Sequence, residues 1–600
     1  MRKEFRSLLS LDEARSQILS YLPVPEERRV PLDSAFGHVL AEKITSEVDV
    51  PGFRRASMDG YAVRSEDSFQ AREDQPVALK LIGSVPMGAA PNIEVAPGTA
   101  AEVSTGSMMP DGADAVVMVE YSEAKDDFIL ILRPVHRGEN VAVAGSDIMV
   151  GETVLRPGTR LTAREIGVLA AVGKESVLVR DLLVGVASTG NELVSPGQDL
   201  LPGKLYDINS YSIAAAVQEC GATPIRYGVL PDDKHSMTAA LRRMAETCSM
   251  LLISGSTSAG IGDMMYQVLD VVGETIFHGV NLKPGKPTIF GLIDGKPCIG
   301  LPGYPTSALT VFELLAAPAI RKALGFKKRE NVISGRLALP VRSEGRHQML
   351  AVGVSNDIVY PMDKGSGSIT TLALADGTIE IPFGVEYFEK GEPVEVLLFG
   401  DAEVPDLTIA GEDCPILEAI IERLPYRTRF ISNGSRRGVI AAEDCIADLA
   451  SISHQNGSDS RDSLIKIEGY ERSLGLMSKD SSFFEPEKIR EAKIFGWSRD
   501  SEMNRLLQKS LAELGLDPKG LEIIGQARAH SAVATAIALG KADIGFGVMA
   551  AAESRGLSFK AMAGDRIDFL VAEDGMKKDA VKAFIAYLKA DEFRDFLHKP

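Results

Sequence analysis

The spacing of apolar residues changes period along the chain, and each change marks a different kind of structure. Residues 11–22 follow Ser10 with the repeat of an amphipathic helix; a proline-containing loop comes next, and a second short helix is expected to begin within Val30-Pro31-Leu32-Asp33-Ser34-Ala35. Residues 78–135 are rich in β-branched residues broken by Pro-Gly turns, the composition of a small β domain. A helix is predicted over 162–173, with Thr162 as N-cap and Glu165 three positions on, the spacing of a capping box. From 181 onward strands alternate with helices: Leu182 to Ala187, helix 210–220, Thr223 to Val229, helix 234–247, Met250 to Ser254, then helix 305–324. That alternation predicts a three-layer α/β domain on parallel strands, whose ligand loops sit at the strand C-termini. Residues 328–400 return to strands, with Arg336 to Val341 and Val394 to Leu398 flanking Gly-rich turns, and beyond 401 the alternation resumes.

Two polar clusters interrupt these apolar runs. Asn281-Leu282-Lys283-Pro284-Gly285-Lys286-Pro287 places two lysines in a frame where each proline fixes its own φ, biases the preceding lysine toward extended geometry, and glycine supplies the turn. Two ammonium groups so held suit a phosphate or another tetrahedral oxyanion, although a surface turn with solvated lysines is the commoner fate of so short a pattern. Upstream, Leu251-Leu252-Ile253 runs into Ser254-Gly255-Ser256-Thr257-Ser258-Ala259-Gly260-Ile261-Gly262-Asp263. Small residues there let backbone N–H groups approach phosphate oxygens, hydroxyls add donors, and the terminal carboxylate is suited to a divalent cation. No Gly-Lys-Ser/Thr follows, so this is not a Walker loop.

Composition narrows the classes. The 600 residues are 45% apolar, enough for about four domains. A net charge of −18 argues against a nucleic-acid partner. Five cysteines, at 220, 248, 298, 414 and 445, form no CxxC, so neither a disulfide framework nor a zinc-finger site is indicated and a reducing, cytoplasmic setting is expected. No signal-peptide core and no apolar run of about eighteen residues occurs, so no membrane association is expected.

The order of motifs carries a resemblance. Ser57-Met58-Asp59-Gly60-Tyr61-Ala62 is followed by Ser104-Thr105-Gly106-Ser107 through Val117, by Gly145-Ser146-Asp147-Ile148, by Ser188-Thr189-Gly190-Asn191-Glu192-Leu193, by Tyr206-Asp207-Ile208-Asn209-Ser210, and then by the Ser254 loop and Lys-Pro-Gly-Lys-Pro. In this order they resemble the molybdopterin molybdenumtransferase family, of the MoeA and gephyrin E-domain type, as far as the region near residue 400. The last two hundred residues, with Ala529-His530-Ser531 leading to Gly540-Lys541-Ala542-Asp543-Ile544-Gly545-Phe546-Gly547, resemble a periplasmic-binding-protein-like domain.

The resemblance implies a multidomain α/β and β chain. It comprises a helical linker and dimerisation domain (1–50 with 148–180), a small β domain contributing to the active site (51–147), and a three-layer α/β MoaB/MogA-like catalytic domain (181–327). A β-barrel-like domain (328–402) and a two-lobed α/β binding-protein-like domain (403–600) complete it. It implies a reaction in which adenylylated molybdopterin and molybdate are the substrates, Mg²⁺ assists, and AMP leaves. By position in the motifs, Lys283 and Lys286 hold molybdate, completed by Ser307, Arg346 and Ser366. Asp263 holds the metal, and Asp59, Asp147, Glu192 and Asp233 match acidic positions tied to activity. Thr105, Ser188, Thr189, Gly190, Ser254, Gly255, Ser256, Thr257, Ser258, Pro302, Gly303 and Pro305 fall in the segments expected to bind the pterin nucleotide. A homodimer is implied, with loops bearing Asp59 and Asp147 covering the partner's α/β site, and so are encounters with a molybdopterin adenylyltransferase and with molybdoenzymes, and a small-molecule ligand for residues 403–600. Two alternatives stand beside this reading: an adenylyltransferase, usually the α/β domain alone, and a non-catalytic oxyanion sensor or scaffold.

The chain departs from the family pattern in places. Ser256 stands where the family has a second glycine, Tyr304 replaces the asparagine of Leu-Pro-Gly-Asn-Pro, and Trp497 to Arg505 replaces an expected glycine-threonine-arginine run. Asn433-Gly434-Ser435 remains a candidate anion-binding turn ahead of a helix, or an ordinary turn.

Overall fold

The computed structural model describes residues 8–256, 264–326, 331–362, 368–400, 404–454, 463–499 and 501–598. They form two compact units, Met1–Asn281 with Gly285–Lys328, and Leu282–Pro284 with Arg329–Pro600.

In the first unit the helix Leu11–Ser20 opens on a reciprocal cap: Glu13 N–H donates to Ser10 Oγ at 3.2 Å while Ser10 N–H donates to the Glu13 carboxylate at 2.8 Å. The short helix expected near residue 32 is a single 3₁₀ turn, Leu32–Ser34. The residues before it are drawn instead into the strand Glu26–Pro31, which pairs antiparallel with Ser176–Asp181. The segments either side of the β domain therefore combine the helices Leu11–Ser20 and Ala163–Ala171 with a three-stranded sheet completed by Val39–Leu40. Thr162 N–H donates to the Glu165 carboxylate at 2.9 Å, as the capping spacing predicts.

The β domain is a six-stranded sheet in the order Ala115–Met118, Gly60–Val63, Thr99–Val103, Val77–Val85, Phe128–Ile131, Ser122–Lys125. Neighbouring residues such as Ala62 and Val63, or Val116 and Val117, enter separate apolar clusters. This follows from the two-residue period of a strand and means the sheet is packed on both faces.

The α/β domain has a six-stranded sheet in the order Thr223–Leu230, Leu183–Thr189, Met250–Ser254, Lys296–Leu301, Ile289–Ile293, Gly273–His278. Its first four strands are parallel, as expected. The last two pair antiparallel, an edge that the strand–helix rhythm did not reveal because no second helix separates them from Lys296–Leu301. The predicted 305–324 helix is continuous but passes through a π segment, Phe312–Ala316, ahead of Pro318. A wider turn there accommodates a ring that cannot donate a backbone hydrogen bond.

In the second unit His347–Ser355, Ile358–Pro361, Val332–Leu337, Pro393–Leu398 and Gly377–Ile381 form a closed circuit, since the last strand pairs back with the first. The two-residue strand Leu282–Lys283 adds to His347–Ser355 in parallel register. The C-terminal domain has an eight-stranded sheet: Thr428–Ser432, Leu407–Gly411, Leu449–Ser453, Ser558–Ala572, Leu464–Ser478, Ile544–Val548, Lys493–Trp497, Glu522–Ala527. Its two 15-residue strands, Leu464–Ser478 and Ser558–Ala572, run antiparallel through the centre and join a half containing the helices Pro415–Arg423 and Ser435–Glu443 to one containing Glu502–Glu513 and His530–Ala538.

This domain is fastened to the barrel by a buried ion pair. Arg429 donates to both carboxylate oxygens of Asp376, at 2.8 and 2.6 Å, and to the Tyr360 hydroxyl at 2.9 Å. Burial opposes the guanidinium charge, but the hydrogen bonds to Asp376 and Tyr360 outweigh it and hold its pKa above the usual arginine value. Ala338, Tyr360, Ala410, Ala441, Ile446 and Ala447 form an apolar cluster across the same junction.

Candidate functional site

The C-terminal ends of the four parallel strands gather a polar rim. Thr189 ends one strand, and its hydroxyl donates to Ser256 Oγ at 2.9 Å; Ser256 Oγ in turn donates to Asp232 at 2.7 Å. Ser188 donates to Asp207 at 2.7 Å, and Asp207 also accepts from Ser210 N–H at 3.1 Å. Asn209 bridges two loops, donating to Ser254 Oγ at 2.7 Å and to Gly303 O at 2.8 Å, while Ser254 donates to Pro302 O at 3.0 Å. The side-chain oxygen of Asn209 is buried with no hydrogen-bond partner among the described residues, an acceptor open to a donor at the rim. A Cβ on Gly255 would lie 2.6 Å from Thr189 O, so the loop can approach the strand end this closely only with glycine. Ser256 itself adopts φ +50, the left-handed conformation in which the family's glycine is at ease.

The structure brings Thr189, Ser188, Ser254, Gly255, Ser256, Pro302 and Gly303 onto this rim. Gly190 and Glu192 lie beside it, and a Cβ at Gly190 would meet the Glu192 carboxylate at 2.7 Å. Pro305 opens the following helix, with Ser307 buried in its first turn. Thr257, Ser258 and Asp263 lie outside the described residues, as does Ser366. Asp207, Asn209 and Asp232 were given no role from sequence. The signal available was position: Asp207 stands just ahead of the helix that Asn209 opens, and Asp232 follows a parallel strand.

Asp233 is placed as a helix cap, accepting from Ser236 N–H at 2.9 Å, and its pKa is lowered by that residue's side chain and backbone. Asp59 accepts from Thr105 N–H at 2.7 Å, which joins two of the expected residues within the β domain. A Cβ at Gly60 would lie 1.9 Å from Val117 O, which explains the glycine after Asp59. Asp147 is exposed. Among the described residues neither Asp59 nor Asp147 shares a hydrogen bond with the α/β rim.

The two cradle lysines belong to different units: Lys286 to the first, Lys283 to the second. The Lys283 ammonium, 39% exposed, lies 3.2 Å from the Glu344 carboxylate because its strand runs alongside the segment that follows Glu344. Arg346 lies 3.8 Å from the other oxygen of Glu344. Of the two readings of Asn433–Ser435, an anion-binding turn or an ordinary one, the structure shows an internal partner: Ser435 N–H and Oγ donate to Glu412 at 3.1 and 3.0 Å, so the domain's own carboxylate fills that helix start. Asp413 does the same in the other half, accepting from His530 N–H at 3.1 Å. Burial and then the charge of Glu418 raise the Asp413 pKa to about 6, while burial holds His530 well below the usual imidazole range.

Comparison with known proteins places most of the chain in a known family. Family models match residues 9–173 as a MoeA N-terminal region (domain I and II), 185–322 as a probable molybdopterin binding domain, and 334–399 as a MoeA C-terminal region (domain IV). The molybdopterin molybdenumtransferase of Bacillus subtilis is 32% identical over 415 residues, covering 66% of this chain and 95% of the relative. The chain belongs to the MoeA family. The molybdopterin molybdenumtransferase of Nostoc sp. is 33% identical over 382 residues, covering 61% of this chain and 88% of that one. A solved MoeA protein, the molybdopterin biosynthesis protein of Pyrococcus horikosii, is 42% identical with a TM-score of 0.57, covering 66% of this chain and all of that one. Beyond the MoeA portion, residues 422–589 match a PBP superfamily domain. Among the described residues no helix is long and apolar enough to cross a membrane.

Proposed function

We propose that this MoeA chain is a molybdopterin molybdenumtransferase that moves molybdenum from molybdate to adenylylated molybdopterin and releases AMP. Full coverage of a solved MoeA protein, joined to an intact rim of hydroxyls and backbone groups at the parallel strand ends, carries this reading. Cleaving a phosphoanhydride beside a dianionic oxyanion concentrates negative charge, so fixed cations and oriented donors supply most of the stabilisation. Thr189, Ser254, Gly255 and Ser256 would seat the pterin nucleotide, with the unpaired Asn209 oxygen accepting one of its N–H groups. Lys283 and Lys286, with Ser307, Arg346 and Ser366, would hold molybdate.

Mg²⁺ suits the donor set, since it binds through one or two carboxylates plus substrate phosphates and needs no all-protein cage. Asp263 would contribute the carboxylate, and the ion would neutralise phosphate charge when bound. The surrounding MoeA regions favour this reading over an adenylyltransferase built from the α/β domain alone. A homodimer in which Asp59 and Asp147 complete the partner's site follows from the same reading, as do encounters with an adenylyltransferase that supplies the pterin nucleotide and with molybdoenzymes that receive the product. Incubating the protein with adenylylated molybdopterin, Mg²⁺ and molybdate should release AMP in an oxyanion-dependent way. Absence of release under conditions where the pterin nucleotide binds would refute the assignment.

A further inference from the structure

The pair formed by Lys283 and Arg346 already holds an anion, and that anion belongs to the chain. Glu344 reaches Lys283 through one carboxylate oxygen at 3.2 Å and faces Arg346 through the other at 3.8 Å. The hydrogen bond and charge of Lys283, then the charge of Arg346, hold its pKa below the usual carboxylate value, so it is ionised at neutral pH.

Hydrogen bonds hold the backbone around Glu344, while its side chain stands largely in solvent. Ser343 N–H donates to Glu386 O at 2.8 Å, and Ser343 Oγ donates to Gln348 at 3.2 Å. Gly345 turns with φ +69, and its carbonyl accepts from Gly384 N–H at 3.0 Å. The strand pairing of Leu282 with His347 and Lys283 with Gln348 sets the lysine beside this turn. The Glu344 side chain remains 58% exposed, so it can swing into water without disturbing the turn. An exposed carboxylate–ammonium pair is weak, and a tetrahedral dianion offers twice the charge and more acceptor oxygens to the same donors.

We propose that Glu344 is a resident stand-in for the oxyanion: it occupies the space between Lys283 and Arg346 in the empty protein and is displaced when a tetrahedral dianion binds. Weakly bound monoanions do not repay that displacement, so Glu344 sharpens selection for a dianion over abundant singly charged ions. The proposal rests on the reading that Lys283 and Arg346 contact the oxyanion.

The test measures molybdate and sulfate binding to the full chain by calorimetry, without pterin nucleotide, for wild type, Glu344→Gln, Lys283→Ala and Glu380→Gln. Glu380 is a neighbouring acid that pairs with His347 at 3.0 Å rather than bridging the two cations, so its variant reports the general effect of removing a nearby negative charge. Glu344→Gln is expected to tighten molybdate binding about threefold to fivefold, clearly more than Glu380→Gln, and to narrow the preference for molybdate over chloride in competition. Lys283→Ala is expected to weaken binding. If Lys283→Ala weakens binding while Glu344→Gln leaves it unchanged, weakens it or only matches Glu380→Gln, the stand-in role is overturned and the cradle remains. If Lys283→Ala has no effect, the cradle reading itself fails. Binding seen only with Glu344→Gln supports the proposal, and binding by no variant overturns both.

Discussion

Replacing Arg429 with alanine should unfasten the C-terminal domain from the barrel. The side chains of Arg429 and Asp376 are 8% and 2% exposed, and the contact is bidentate, so truncating the arginine leaves a carboxylate buried without its counter-charge. Removing one partner of such a pair costs about 3–5 kcal/mol. One compensation survives, because Asp376 also accepts from Val354 N–H at 2.6 Å, and this places the expectation near the lower end, about 3 kcal/mol. The chain's single tryptophan provides the assay. Trp497 is buried in the C-terminal domain, donates to Phe546 O at 2.9 Å and packs edge-on against His530, so its fluorescence reports that domain's unfolding in urea. With a slope of about 2 kcal/mol/M, the midpoint should fall by roughly 1.5 M. A double variant, Arg429→Met with Asp376→Leu, removes both charges and should recover at least half of the loss. A midpoint within about 0.3 M of wild type for Arg429→Ala would refute the reasoning; so would a double variant as unstable as the single one, because the cost would then lie in packing and not in an unpaired charge.

Asp413→Asn is expected to stabilise the C-terminal domain above pH 7 and flatten its pH dependence. Because the folded pKa of about 6 lies above the ordinary aspartate value of 3.8, the native state keeps a proton that the unfolded chain releases, so wild-type stability falls as pH rises through that window; the loss is about 3 kcal/mol, checked by urea midpoints at pH 4, 6 and 8. Lys283→Ala and Lys286→Ala should each lower oxyanion-dependent AMP release about tenfold, in keeping with roughly 1.5–3 kcal/mol for a charge-assisted contact, and full activity in both would remove the lysines from the site. Ser256→Gly should leave stability within about 1 kcal/mol, as relief of the φ +50 strain offsets the lost hydroxyl bridge to Thr189 and Asp232; a much larger thermal-shift loss would mean that the hydroxyl organises the loop. Asp59→Ala and Lys283→Ala subunits, each inactive alone, should regain about a quarter of wild-type activity after exchange if the site is shared across an isologous dimer, and exchange without recovery would assign each site to one chain.

The parallel core was legible because buried strands and amphipathic helices keep different periods, so Leu183–Thr189, Met250–Ser254 and the helices between them stand out in the sequence. Gly273–His278 was not, because a short antiparallel edge leaves neither a long apolar run nor a helix behind it. Ser254 and Gly255 were readable as small residues at a strand end, and Thr189 only through the order of motifs. The work done by Asn209 and Asp232 was not, since it depends on loops far apart in sequence: Asn209 reaches Gly303, and Asp232 reaches Ser256. Charge pairing was the least legible property. Nothing in the spacing of Glu412, Glu344 or Arg429 announces that the first fills a helix start, the second meets Lys283, or the third crosses to another domain.

The Arg429 fastening also bears on how such a chain changes over generations. In a barrel that never carried a neighbour, Asp376 would still cap Val354 N–H, but its second oxygen and the Tyr360 hydroxyl, beside Ala338 and Met362, would have no cation to meet. Once these residues have adapted to a partner on the same chain, losing the added domain strands a charge and bares an apolar surface, while keeping it costs nothing further. Attachment of this kind works as a ratchet: gaining the domain takes one fusion, but discarding it takes the fusion's reversal together with repair of every residue that came to depend on it.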